Sequence, residues 1–241
     1  QELKMISSKR ISTLYDPILS TKSINKIKSK RTSFEFNNFY LAIGRLTKQK
    51  NFKFLIEVFS EFLKTSDNNL IIIGEGEQKD SLQKFIEKKN FKDKITLIGY
   101  KDNVFEYFEK SKCFILSSLW EDPGFVLVES AYMNTPIISS DCDNGPKEIL
   151  GDGTNGILFK SNDKASLLDA LHQFENMDQN IINKKLCDIS KGIPFLEKKH
   201  CKKEKFTVVP EDLIDKNEIK DKFEDFGDLL KSNFNKYGKI A

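Results

Sequence analysis

From Phe39 to Phe159 short apolar runs alternate with stretches of helical periodicity, an order satisfied by a parallel sheet covered with helices on both faces. Phe39-Tyr40-Leu41-Ala42-Ile43 has the length and continuous hydrophobicity of a buried strand, and Gly44 ends it. Phe52, Leu55, Ile56, Phe59, Phe62 and Leu63 then recur at helical spacing, which predicts a helix packed on the sheet by one face. Leu70 to Ile73, Ile95 to Ile98, Cys113 to Leu116, Pro136 to Ser139 and Ile157 to Phe159 read as further strands. Helical spacing returns at Leu82, Phe85 and Ile86, at Val104, Tyr107 and Phe108, in a short turn from Lys147 to Leu150, and from Ser166 to Phe174. The expected fold class is α/β, a Rossmann-like doubly wound parallel sheet of about six strands. Right-handed crossovers place every loop that follows a strand on one edge of such a sheet, and ligands bind at that edge.

The densest chemistry on that edge lies in Trp120-Glu121-Asp122-Pro123-Gly124-Phe125-Val126-Leu127-Val128-Glu129. A helix opening near Gly124 offers unpaired N–H groups and a positive dipole end to an anion. Glu121 stands in the loop before it and Glu129 in its second turn. Carboxylates accept hydrogen bonds and repel phosphates, so here they suit the hydroxyls of a hexose and a ribose. On these residues alone, a capped surface helix with exposed acids is the alternative. Gly44-Arg45-Leu46-Thr47-Lys48-Gln49-Lys50 follows the first strand and carries a guanidinium fork and an ammonium, the groups a diphosphate requires. In isolation they would be solvent-exposed bases; sharing an edge with Glu121 and Glu129 favours the ligand reading.

Other chemistries find less support. Gly74-Glu75-Gly76 lacks the third glycine of the dinucleotide fingerprint, because residue 79 is Lys, and no G-x-x-x-x-G-K-[S/T] loop occurs. The glycine pair suits either a nucleotide lying against the backbone or a tight strand-to-helix turn. His172 and His200 neighbour no nucleophile, and Ser117, Ser118, Ser139 and Ser140 lie at strand ends without a G-x-S-x-G elbow, so acyl transfer is unsupported. Cys113, Cys142, Cys187 and Cys201 are scattered without C-x-x-C spacing, which indicates a reduced compartment and no zinc site; a metal-independent site without a cofactor is expected.

A chain of 241 residues that is 39% hydrophobic, with 20 Phe, can bury a substantial core. A net charge of +3 from 39 basic and 36 acidic residues gives no ground for a nucleic-acid partner. The runs Lys26-Ile27-Lys28-Ser29-Lys30-Arg31 and Lys198-Lys199-His200-Cys201-Lys202-Lys203 read as solvated faces or linkers, with peripheral contact at an anionic inner membrane face as the alternative. No apolar run reaches the length of a bilayer span, so a cytoplasmic location is expected. Residues 1–38, polar apart from Ile11 to Leu19, read as a linker or remnant of an upstream domain, residues 39–176 as the ligand-binding domain, and 177–241 as a charged extension. The first residue, Gln1, points to a fragment or a processed chain. Ile219, Phe223, Phe226, Leu229 and Leu230 predict one amphipathic helix in the extension, weakened at Gly227.

Taken in order, Gly44-Arg45 with Lys50, Gly74-Glu75-Gly76, Gly99-Tyr100, Glu121-x7-Glu129 and Asn144-Gly145-Pro146-Lys147-Glu148-Ile149 resemble the C-terminal half of family 4 retaining glycosyltransferases of the GT-B fold, over residues 39 to about 175. The resemblance implies a donor nucleotide sugar and a glycan, lipid-linked or small-molecule acceptor, with Arg45, Lys50 and Glu121 carrying the chemistry. Arg45 and Lys50 would grip the diphosphate, Glu121 and the amides of Gly124, Phe125 and Val126 the sugar, and Glu129 the ribose. Gly44, Gly74, Glu75 and Gly76 would line the donor site, and Gly99, Tyr100 and Lys101 would lie near the base. Asp122-Pro123 stands where the family more often has Gly-Phe, and the N-terminal domain that binds the acceptor in such enzymes has no counterpart in the 38 residues before the first strand. Two other functions fit the residues: a non-catalytic nucleotide-sugar-binding module, and a glycosidase using Glu121 and Glu129. Losing one positioned donor to a leaving group costs about 3 kcal/mol in the barrier, so Arg45→Ala is expected to lower turnover of the full-length enzyme roughly 100- to 1,000-fold in a steady-state assay.

Overall fold

The computed structural model describes residues 36–122, 124–178 and 180–182. Six strands, β1 (Phe39–Ile43), β2 (Asn69–Ile73), β3 (Ile95–Leu97), β4 (Cys113–Leu116), β5 (Ile137–Ser140) and β6 (Ile157–Phe159), form one sheet in the order β3-β2-β1-β4-β5-β6. Every pairing is parallel. Between the strands run α1 (Phe52–Phe62), α2 (Lys79–Lys88), α3 (Phe105–Lys110), α4 (Phe125–Tyr132) and α5 (Pro146–Ile149), and α6 (Lys164–Glu175) follows β6. The Ile11–Leu19 run, the helix expected around residues 219–230, both lysine runs, Cys187 and Cys201 lie outside the described residues.

Alternation along the strands divides the core into two layers. Tyr40, Ala42, Leu70, Ile72, Cys113, Ile115 and Ile138 face α1, α2 and α6. Phe39, Leu41, Ile71, Ile73, Phe114, Leu116 and Ile137 face α3 and α4 through Phe108, Leu127 and Ala131. Helix α1 buries Phe52, Phe54, Leu55, Ile56, Val58, Phe59 and Phe62. At about 1.5–3 kcal/mol per buried side chain, this one helix contributes on the order of 10 kcal/mol before chain entropy is counted.

Element boundaries shift where hydrogen bonding overrides apolar pattern. The strand expected at Pro136 begins at Ile137, because proline has no N–H for the ladder; its carbonyl still accepts from the Phe114 N–H at 2.8 Å. The last helix starts at Lys164, two residues ahead of the first expected position, since Asp163 caps it by accepting from the Ser166 N–H at 3.0 Å. At the N-terminal edge of the sheet the Tyr40 hydroxyl, the Asn68 amide and the Lys112 ammonium all donate to Glu175 Oε1, at 2.5, 3.2 and 2.6 Å. That clasp ties the end of α6 to β1, β2 and β4. His172 packs edge-on against Phe62 with ring centroids 5.3 Å apart.

The glycine pair after β2 is required by backbone packing. A Cβ on Gly74 would lie 1.9 Å from the Gly44 carbonyl oxygen, and one on Gly76 2.6 Å from the Leu46 carbonyl oxygen. Gly44 N–H to Ile73 O at 3.0 Å, Leu46 N–H to Glu75 O at 2.8 Å and Gln78 N–H to Leu46 O at 3.0 Å continue the β1–β2 ladder into the two loops. Of the two readings the sequence left open, the close turn has a direct steric cause. Gly74→Ala is expected to destabilise the protein by about 3 kcal/mol in urea unfolding, since the backbone itself must move. Gly44→Ala, whose Cβ meets only flexible Lys50 methylenes at 3.2 Å, should cost clearly less.

Candidate functional site

Strand order reverses between β1 and β4, so their following helices leave toward opposite faces and open a crevice at the C-terminal ends of the strands. Lys50 comes from the loop after β1 and Glu121 from the loop after β4. Their side chains meet across the crevice as an ion pair, Nζ to Oε1 at 2.7 Å, with the lysine 14% and the glutamate 4% exposed. The two loops are sewn together around it. Leu119 N–H donates to Gln49 O at 2.8 Å, Gln49 Nε2 to Trp120 O at 2.9 Å, and Ser117 Oγ to Lys50 O at 2.8 Å. From the other side Ser118 Oγ donates to Glu121 Oε1 at 2.5 Å, and the Glu121 N–H donates to Asp143 O at 3.1 Å.

The sequence assigned Lys50 to a phosphate and Glu121 to a sugar as separate groups; the structure makes them partners. The sequence reading assigns no site role to Gln49, Ser118 or Ser140, although serines at the C-terminal ends of two adjacent strands were a usable signal. Arg45 is exposed on the same edge, and its guanidinium has no hydrogen bond or ion pair among the described residues. Glu75 pairs with Lys79 at 2.8 Å, and its Oε1 stands 2.9 Å from where a Cβ on Gly99 would be. Tyr100 is 54% exposed and Lys101 is exposed. Among the described residues no hydrogen bond or ion pair joins the side chains of Arg45, Glu75 or Glu129 to the Lys50–Glu121 pair.

Gly124, at φ 87° and ψ 53°, turns the chain into α4 through a left-handed conformation that a β-carbon disfavours. The first turn of α4 contains no acidic residue, and Phe125, 46% exposed, leaves the helix start uncovered. The Leu127 N–H donates to Gly124 O at 2.9 Å, which leaves the N–H groups of Phe125 and Val126 at the helix start without an intrahelical acceptor. Cys142, buried beside Glu121, Asp143 and Lys50, has its thiol pushed up by burial. Among the described residues no cluster of His, Cys, Asp and Glu could hold a metal ion.

The Glu129 carboxyl, one turn further along α4, has neither hydrogen bond nor ion pair among the described residues, and burial raises it from the ordinary 4.5 to about 7. Below pH 4.5 the group is protonated folded and unfolded alike. Between 4.5 and 7 the unfolded chain releases the proton while the folded one keeps it, so stability falls as pH rises through that window, by on the order of 3 kcal/mol. Glu129→Gln should flatten the profile of unfolding free energy against pH between 4.5 and 7.

The sequence profile of the family described as "Glycosyl transferases group 1" matches residues 23–188. An uncharacterized glycosyltransferase of Methanocaldococcus jannaschii is 41% identical over 124 residues, 51% of this chain and 30% of that protein. The Campylobacter jejuni N-acetylgalactosamine-N,N'-diacetylbacillosaminyl-diphospho-undecaprenol 4-alpha-N-acetylgalactosaminyltransferase is 32% identical over 170 residues, 69% of this chain and 44% of that protein. The chain thus spans between about a third and a half of the length of these curated relatives. Among solved structures, TarM of S. aureus, determined with Fondaparinux, alpha-GlcNAc-glycerol and UDP, superposes with a TM-score of 0.61 at 24% identity, covering 68% of this chain and 34% of that one. The lipopolysaccharide outer core galactosyltransferase WaaB gives 0.60 at 22% identity, covering 78% and 54%. With the ordered motifs, the doubly wound sheet and the profile match over most of its length, the chain belongs to the group 1 glycosyltransferases, the GT-B enzymes of family 4.

Proposed function

We propose that this chain supplies the donor-binding half of a retaining transferase and holds a nucleotide-diphosphate sugar in the β1/β4 crevice. The observation that carries the reading is the Lys50–Glu121 pair, which sets a cation and an acceptor side by side at the strand-order reversal. Lys50 spends one of its three N–H donors on Glu121, leaving two for the diphosphate, and Arg45 adds an unengaged fork on the same edge. Glu121 accepts from the hydroxyls of the sugar, the α4 amides meet the anionic linkage, Glu129 accepts from the ribose, and Gly99, Tyr100 and Lys101 border the base.

Charge develops on the departing diphosphate, so fixed donors aimed at it lower the barrier more than they strengthen ground-state binding. In a retaining transfer the bond from the anomeric carbon to the phosphate oxygen breaks, the acceptor oxygen bonds to that carbon on the same face, and the departing phosphate oxygen takes the acceptor's proton. No base from this half is then needed, in keeping with a glutamate already committed to lysine and serine. The same engagement of Glu121 tells against its use as a glycosidase acid or nucleophile. The names of the relatives make amino-sugar nucleotides and lipid-linked glycans the first donors and acceptors to try. No helix of the described residues is long and apolar enough to cross a membrane, and contact with a lipid-linked acceptor is proposed to be peripheral, at a cytoplasmic face.

Ligand-observed NMR on the full chain with UDP-N-acetylglucosamine, UDP-N-acetylgalactosamine, UDP-glucose and GDP-mannose, each in excess EDTA, is the direct test. At least one should show saturation transfer, competed by its own nucleoside diphosphate. A folded chain that binds none of the four would sink the proposal, and binding abolished by EDTA would overturn its metal independence.

A further inference from the structure

Glu121 has two carboxylate oxygens in unequal surroundings. Oε1 receives both Lys50 Nζ and Ser118 Oγ, at 2.7 and 2.5 Å. Oε2 has no partner among the described residues. Nor is it sealed off, because Thr47 Oγ1 is the buried side-chain polar atom left without a partner there. The small exposed remainder of Glu121 therefore includes Oε2.

Something must keep the two oxygens from exchanging places, since the terminal torsion of a glutamate is broad and nearly two-fold. Lys50 cannot do so alone: an ammonium on a flexible stem is a point charge that pairs equally well with either oxygen. Ser118 differs in both respects. Its hydroxyl carries a single directed proton, it is fully buried two residues beyond β4, and its own carbonyl accepts from Ser140 Oγ at 2.7 Å, tying it to the end of β5. Ser140 is fully buried too. A hydrogen-bonded line thus runs from β5 through β4 to the carboxylate and on to the loop after β1.

We propose that Ser118, braced by Ser140, is a positioning residue for donor-sugar recognition: it locks Glu121 so that Oε2 alone faces a neutral, hydroxyl-rich sugar. This rests on the donor-site reading above. It predicts that Ser118 acts on the sugar and leaves the nucleotide diphosphate alone, because Lys50, Arg45 and the α4 amides do not depend on which glutamate oxygen points outward.

The test measures, by calorimetry on the full chain, the affinity of the tightest binder among the four nucleotide sugars and of its own nucleoside diphosphate. In Ser118→Ala the ratio of the two should fall about tenfold, the scale of one charge-assisted hydrogen bond, while the diphosphate affinity moves less than twofold. Ser118→Cys, with a weak S–H donor, should fall between. Ser60→Ala removes an equally buried serine hydroxyl on α1, bonded to Ile56 O, and should leave the ratio unchanged. An unchanged ratio in Ser118→Ala and Ser118→Cys overturns the positioning role and leaves the donor-site reading intact. Parallel loss of both affinities assigns Ser118 to general stability and overturns it as well. A wild-type chain that binds the diphosphate with no gain from the sugar overturns it too, and one that binds neither overturns the donor-site reading first.

Discussion

The ion pair between Lys50 and Glu121 joins two loops that the topology drives apart. At the β1/β4 junction the following helices depart to opposite faces, so no helix packing closes the gap above the strands. The pair and the three hydrogen bonds around it, from Leu119, Gln49 and Ser117, bridge that gap instead. Withdrawing both charges from water costs several kcal/mol per ion, and their attraction offsets this only with good geometry and further hydrogen bonds. Ser118 supplies one such bond to the glutamate. The arrangement adds little net stability for its cost; what it provides is a fixed charge pattern in a crevice, in place before any ligand arrives.

On the β2 side the loops are held differently. Gly74 and Gly76 let two backbones touch, and the ladder of β1 and β2 runs on past the strands as Leu46–Glu75 and Gln78–Leu46 hydrogen bonds. The floor of the site is therefore rigid backbone, from which Arg45, Glu75, Tyr100 and Lys101 project. The opposite edge of the sheet has its own polar cluster, with Tyr40, Asn68 and Lys112 converging on Glu175. There the hydrogen bonds anchor α6, and burial lifts the Tyr40 hydroxyl far above its ordinary range, keeping it a donor.

Much of the fold was legible because its signals are local. Phe39–Ile43, Cys113–Leu116 and Ile157–Phe159 were readable to the residue, since a buried parallel strand is a continuous apolar run. Boundaries moved where a hydrogen-bonding detail outweighed hydrophobicity, at Pro136 and at the Asp163 cap. The candidate site was legible as a set of residues on one edge, because strand order and crossover handedness fix which loops share it.

The sequence by itself determined the layer architecture, the edge that bears the site and the residue types gathered there, all consequences of periodicity and chain chirality. Only the tertiary structure decided the couplings. Lys50 and Glu121 are 71 residues apart, and Gly74 faces the carbonyl of Gly44 thirty residues earlier. Such contacts depend on which strands become neighbours and on how two loops meet to within a few tenths of an ångström. Apolar spacing carries the first only through topology and carries nothing of the second. That is why two residues read from the chain as separate ligand contacts proved to be one buried pair, with a serine holding its orientation.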